Sequence, residues 1–366
     1  MLKVTALLWL LLSTSLLFSK GAYAINKSTE QHKDAHKLSF VLMVNNNDSQ
    51  FWLLSQNAAL AAAKDLGVEL QVINLKNNPL RPMRVLSTLL ASNRVPDAVI
   101  FSNFKNTGDD ILKRLEQYKI KSFVFDNGFA PEQRVGEPGK QFNYWQGQLL
   151  SYNQEASKRL TKELIETGLK VLPTPLRIVA LEGAPSAYVN RERLLGFYDA
   201  VNDYGKQVVV EQVFTTHWRR KDTRNAVLAA KQRYPNAQLF WAASDEIAIS
   251  AIDTLVELGE EPGLDTFVVG FDRLPLIEKR LQKGQILNSY GGHYMSAAWA
   301  VIYMFDHLNG FNPEPRSMRL PLIGAHETSG LIFDSQIREG HFSDINFKIY
   351  SKKYGLSHQD YPFLAP

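Results

Sequence analysis

The chain contains no cysteine. Disulfides, thiolate metal ligands, cysteine nucleophiles and a lipid-modified N-terminal cysteine are all excluded by that absence. Charge of one sign is also scarce in excess, with a formal net charge of +4 over 366 residues. Lys and Arg are spread along the chain and are densest at His217–Lys221, HWRRK. Such a run reads as a solvated helix start, and no nucleic-acid partner is expected. Beyond the first two dozen residues no run of about 18 apolar residues occurs, so no later membrane-spanning helix is expected. Phosphate-loop, G-x-S-x-G, H-E-x-x-H and dinucleotide fingerprints are missing as well. GEPGK at Gly136–Lys140 lacks the spacing and the hydroxyl residue of a phosphate loop. His32 and His36, four apart beside Glu30 and Asp34, lie in a polar stretch that reads as solvated linker. No cofactor and no metal are implied.

What is present begins with a leader. Lys3 precedes an apolar run from Val4 to Phe18, interrupted at Ser13, Thr14 and Ser15, and Ala22-Tyr23-Ala24 forms an A-x-A cleavage site. Residues 1–24 are therefore expected to be an export signal, with the mature chain starting near Ile25. That leader carries Lys3 and Lys20 and no acid, so the mature charge falls to +2. A chain exported without an anchor is expected in the periplasm of a double-membraned bacterium, as a monomer. Residues 25–37 are polar and aperiodic, a flexible lead-in. The remaining length exceeds what one core usually holds, which predicts two lobes.

Strand and helix patterns alternate from Leu38 onward. LSFVLMV is an uninterrupted apolar strand, followed by a polar loop at Asn45–Asp48 and a helix from Phe51 to Leu66 closed by Gly67. VELQVINL, DAVIFS and KSFVFD continue the strands, with helices between them. Residues 127–150 break the rhythm with glycines and prolines and read as a loop or crossover between lobes. A second alternation then runs through LRIVALEG, QVVVEQVF, LFWAAS, FVVGFD and QILNSY. The pattern predicts an α/β protein of two Rossmann-like lobes with parallel sheets. One lobe is expected from residues 38–150 plus 292–320, the other from 151–291, with 321–366 wrapping over both.

Three strands end in or beside an acid: Asp126 after FVF, Asp245 after LFWAAS and Asp272 after VVGF. In open α/β sheets ligands bind outside the carboxyl ends of the strands, so these acids are expected at one crevice holding a small polar ligand. Carboxylates accept hydrogen bonds from vicinal hydroxyls. Asp126 is equally suited to capping its loop, and Asp245 to capping the helix EIAISAI.

Four segments, in order, resemble the type 1 periplasmic sugar-binding proteins, the group of the ribose, galactose and autoinducer-2 receptors. They are NNNDSQFWLLSQNAALAAAKDLGVEL, FVFDNG, EGAPSAYVNRERLLGF with its R-x-x-G-F, and the span from SDEIAISAI to VVGFD. The resemblance covers about three quarters of the chain and implies a clamshell closing at a three-strand hinge. It implies that Phe51 and Trp52 stack on apolar sugar faces, with Trp218 opposite them. Asn47 and Ser49 bond hydroxyls or cap the first helix. Arg191, a cation at a helix N-terminus, is expected to contact the ligand bidentately, and Arg193 to face solvent or pair with an acid. Asp272 is the firmest expected contact. Two departures stand out: Ser244 occupies a place where sugar receptors often carry Asn, and Tyr290-Gly291-Gly292-His293 follows the last strand where they carry an amide. His293 itself is expected to pack at a helix start.

The function so implied is periplasmic capture of a sugar-like solute for an inner-membrane ABC permease. A sensory receptor docking on a membrane histidine kinase or cyclase is the alternative. An acid pair of the glycosidase type is set aside, because the acids serve better as hydroxyl acceptors. A transcription repressor of the same architecture is set aside because of the leader.

Overall fold

A computed structural model describes residues 37–46, 48–92, 94–327, 340–355 and 361–364. The expected export signal, all but the last residue of the polar lead-in, and Asn47 lie outside the described residues. No helix among the described residues is long and apolar enough to cross a membrane.

The apolar runs become the inner strands of two six-stranded sheets. The first sheet is built from β1 (Ser39–Val44), β2 (Glu69–Asn74), β3 (Ala98–Phe101), β4 (Lys121–Phe125), β5 (Trp145–Ser151) and β11 (Ser317–Leu320), in the order β11-β5-β4-β3-β1-β2. The second contains β6 (Leu176–Glu182), β7 (Val208–Thr215), β8 (Leu239–Ala242), β9 (Phe267–Asp272), β10 (Ser289–Gly291) and β12 (Ile323–Gly324), in the order β12-β10-β9-β8-β6-β7. All pairings are parallel except β10 with β12. Strands β3, β8 and β9 are buried throughout, as helix-covered parallel strands must be.

Helices α1 (Gln50–Leu66), α2 (Arg81–Leu90) and α3 (Gly108–Gln117) cover the first sheet, and α9 (Ser296–Leu308) returns to pack beside α1. The second sheet carries α4 (Asn153–Val171), α5 (Tyr188–Tyr204), α6 (Arg220–Arg233), α7 (Asp245–Glu257) and the short α8 (Glu278–Gln282). The chain passes between the sheets after β5, after β10 and after β11. Helices α4 and α5 pack unusually closely because Gly196 has no side chain; a Cβ there would lie 2.0 Å from the Gln154 carbonyl oxygen.

Two expectations need correction. The stretch 127–150 is not loop throughout: Trp145–Ser151 is a strand between β4 and β11. Its sequence, WQGQLLS, places two glutamines and a glycine in a buried strand, so no apolar run marks it. The tail is more than a wrap, because β12 joins the second sheet. Further on, 3-10 turns at Phe342–Asp344, Phe347–Tyr350 and Pro362–Leu364 pack on the first lobe. Phe363 stacks on Trp299 at 4.5 Å, and Asp306 of α9 accepts from Ser351 Oγ, the Lys352 and Lys353 amides and Tyr361 Oη.

Candidate functional site

Loops at the carboxyl ends of both sheets enclose a cavity of about 770 Å³. Asn45 and Asn46 follow β1, Asn77 follows β2, Phe104 and Lys105 follow β3, and Asp126 and Asn127 follow β4. From the second sheet come Ala184–Ala187 after β6, His217–Arg219 after β7, Ser244 after β8, Asp272 ending β9 and His293 after β10. This is the crevice that parallel sheets reserve for ligands. Backbone strain concentrates here: Asn77, Lys105, Asp126, His217, Trp218 and Asp272 line the cavity with positive φ. Each such residue costs on the order of 1–3 kcal/mol and persists only where its surroundings hold it.

The aromatic walls stand where expected. Phe51 and Trp52 open α1, meet edge to face at 5.1 Å and line the cavity while packing into the first core. Trp218 lines the opposite side, seated on Gly183; a Cβ there would fall 2.0 Å from the indole ring. Ser49 stands at the N-cap position of α1, yet its hydroxyl makes no capping bond and it lines the cavity. Ser244 does cap α7, accepting from the Ile247 amide at 3.3 Å, and also lines the cavity.

Two expected contacts are displaced. The Arg191 side chain is about half exposed and pairs with Glu132 at 2.8 Å, outside the cavity lining. Arg193, expected to face solvent or pair with an acid, is buried at the site and pairs with Asp272. Its Nε donates to Asn153 Oδ1 at 2.9 Å, and Nη1 to the Ala243 carbonyl at 2.6 Å and to Asp272 Oδ1 at 3.3 Å. Its Nη2 sits 3.0 Å from His293 Nε2, and the guanidinium lies over Phe271. Of five guanidinium protons, one is left without a partner on the protein side among the described residues. Helical geometry separates the two arginines: Arg193 shares its face with Val189, Gly196, Phe197 and Ala200, all buried. Asp245 is likewise below the cavity and not in it. It is fully buried, accepting from the Leu274 amide at 2.7 Å and Ser289 Oγ at 2.6 Å, and so ties β10 and the loop after β9 to α7.

Asp126 and Asp272 both reach the cavity, each 6 % exposed. Burial pushes Asp126 up to about 7 against the pull of Arg193. Burial likewise holds Asp272 at about 7; Arg193 opposes it, and Glu246 and Asp126 add to it. His293 stands between them, with Nε2 3.8 Å from Asp126 Oδ1 and 3.5 Å from Asp272 Oδ1, and its ring 4.9 Å from that of Phe51. Burial, then Arg193, keeps this imidazole well below its ordinary range and hence neutral. Since arginine only donates, His293 Nε2 is the acceptor and the ring proton belongs on Nδ1. No donor among the described residues lies within hydrogen-bond distance of the Asp126 carboxylate.

The lobes touch around this cavity. Glu246 accepts from the Gln50 amide at the positive end of α1 at 2.8 Å, and Gln50 Oε1 accepts from the Leu276 amide at 3.3 Å. On another side Asn127 Oδ1 accepts from the Val189 amide at 3.0 Å, beside the Arg191–Glu132 pair. Arg193, His293, Glu246 and Asn127 were not singled out as contacts from sequence. Only Arg193 carried a usable signal there, its place on the apolar stripe of α5.

Residues 40–310 match the family model described as a periplasmic binding protein domain. A galactofuranose-binding protein of Escherichia coli (strain K12) is 22% identical over 234 residues, covering 63% of this chain and 69% of its own. A ribose import binding protein of Salmonella typhimurium is 24% identical over 250 residues, 68% of this chain and 77% of its own. A crystal structure of a periplasmic sugar-binding protein from Pseudomonas fluorescens shares the fold, with a TM-score of 0.78, 23% identity, and coverage of 89% of this chain and 97% of that one. These relatives are binding proteins and not enzymes. With two mainly parallel sheets, three crossings and a cavity at the strand ends, the chain belongs to the periplasmic binding protein family.

Proposed function

We propose that this protein is exported to the periplasm, encloses one sugar or sugar-like molecule between its lobes, and delivers it to an inner-membrane ABC permease. The observation that carries this reading is Asp126, a buried carboxylate that faces the cavity with no protein donor among the described residues, set among Phe51, Trp52 and Trp218. A polyol supplies what such a place lacks: hydroxyls that donate to the carboxylate, and C–H faces that lie against the rings. The sugars named for the relatives agree in kind. Asp126, Asp272 and the remaining proton of Arg193 would bind hydroxyls, with Ser49, Ser244 and Asn127 near the same space.

Native mass spectrometry of protein purified from its own periplasm tests this. A carbohydrate adduct, released on denaturation and chemically unchanged, is the expected result; a bound non-carbohydrate overturns the reading. Deletion of the gene should abolish growth on one carbon source. Normal growth on all sources with a lost signalling response would assign the receptor to a membrane kinase or cyclase instead.

A further inference from the structure

The lobes approach in a closed arrangement, yet the groups they bring together do not balance. Asp126 belongs to the first lobe and Asp272 to the second, and both face the same nitrogen of the neutral His293. Asp245 lies buried next to this group, already engaged by the Leu274 amide and Ser289. Glu246 is the third acid of the lining and is met by the N-terminus of α1. Arg193 on α5, the buried cation that lines the cavity, contacts Asp272 and not Asp126, while the buried Arg273 next to Asp272 lies outside the lining and donates to the Glu327 carbonyl. The remaining cationic groups stand at the mouth and are engaged elsewhere: Lys105 donates to the Asn77 carbonyl, and Arg219 and His217 face Asp222. Phe51 and Trp52 close the side of α1 with no charge at all.

Two carboxylates from opposite lobes are thus pressed into a low-dielectric space with compensation for one. Ionised carboxylates so placed repel, and one of them is driven to hold a proton. When the lobes part, Asp126 leaves Asp272 and meets water. The geometry points to closure of the empty cleft being coupled to uptake of a proton on the Asp126–Asp272 pair, which the donor groups of a bound ligand replace. The clause on the ligand rests on the sugar-binding reading; the clause on the empty protein does not.

The direction follows from linkage. Carboxylates at about 7 when the cleft is closed, and near the ordinary 3.8 when it is open to water, favour the closed form as pH falls through 7. For one linked proton the closed-to-open ratio changes about tenfold per pH unit across that window. Above pH 7 this contribution to closure is absent. A ligand that donates to Asp126 holds the cleft shut there too, releasing the proton to solvent as it binds.

The test uses the whole exported chain, stripped of ligand by unfolding and refolding, with small-angle X-ray scattering at pH 5, 6, 7 and 8. The wild type is expected to become more compact from pH 8 to pH 5. Asp126→Asn is neutral at every pH and suits the left-handed backbone at this position, φ 63°. It is expected to give the same compact profile at pH 5 and pH 8. Superimposable wild-type profiles at the two ends overturn the inference, as does a full pH response in both Asp126→Asn and Asp272→Asn. If a variant does not fold, the wild-type comparison still decides. Because no sugar enters the experiment, its failure leaves the sugar reading standing, and a non-sugar ligand in the native spectrum leaves this result untouched.

Discussion

Arg193 and Arg191 lie two residues apart, and their surroundings make opposite demands. Arg193 is held by Asn153, the Ala243 carbonyl, Asp272 and His293 with almost no exposure. Removing one member of a buried ionic group costs about 3–5 kcal/mol, because its partner stays buried and uncompensated. Arg193→Ala is therefore expected to lower the melting temperature and abolish binding of the co-purified ligand by calorimetry. Arg191→Ala loses only an exposed, solvent-screened pair with Glu132 and should leave both measurements nearly unchanged. Comparable losses in the two variants would contradict this assignment. His307 gives a separate pH signature. Burial, then Lys121 and Arg316, lowers it to about 4, whereas in the unfolded chain it titrates near 6.5. Its contribution is complete above pH 6.5 and is lost as pH falls towards 4, where the unfolded state takes up the proton first. Urea titrations of His307→Gln should show a shallower loss of stability between pH 6.5 and 4.5 than the wild type; equal slopes would exclude His307 as the source.

At the scale of elements, sequence reveals the strands rich in apolar and β-branched residues, the buried β1, β3 and β9 as well as the edge strands β2 and β7. The apolar runs FVLMV, AVIF, FVF and FVVGF end at the cavity, so the acids Asp126 and Asp272 that follow two of them can be placed at the crevice from sequence. Strand β5 is hidden because its Gln146, Gly147 and Gln148 resemble a loop, and only pairing on both sides identifies it. The choice between Arg191 and Arg193 depended on reading the stripe of α5, whereas the contacts of His293 with Arg193 and Asp126 cross from one element to another and leave no local pattern. Gly183 belongs to this scale as well, since the loop after β6 must leave room for the Trp218 indole. Gly183→Ala is expected to displace that ring and weaken ligand binding about tenfold or more while the fold persists; unchanged affinity would remove Trp218 from the site. The tail is fastened through one carboxylate. Asp306→Ala strips the anchor from Ser351, Lys352, Lys353 and Tyr361 and leaves buried donors unpaired, at about 1–3 kcal/mol or more. Limited proteolysis should then cut within residues 340–364 well before the wild type is cut.

For the molecule as a whole, the path of the chain between sheets also governs how the two lobes come into being. Strands β6 to β10 and their helices form one continuous stretch, whereas the first sheet receives β11, and its core receives α9, Phe342, Phe347, Tyr350 and Phe363, from the far end of the sequence. Contacts that join distant positions form slowly, because a long loop must close before they contribute. The second lobe has few such contacts to await, so during refolding it is expected to mature ahead of the lobe that precedes it. Pulse-labelled hydrogen exchange would show this as protection of β6, β8 and β9 before β1, β3 and β4, and the reverse order would refute it. A chain refolding in this order would thus carry an unfinished first half, with Phe51 and Trp52 unburied, until its last segments are in place. Over that interval these two aromatics are an exposed, adhesive surface that a folding helper would have to shield.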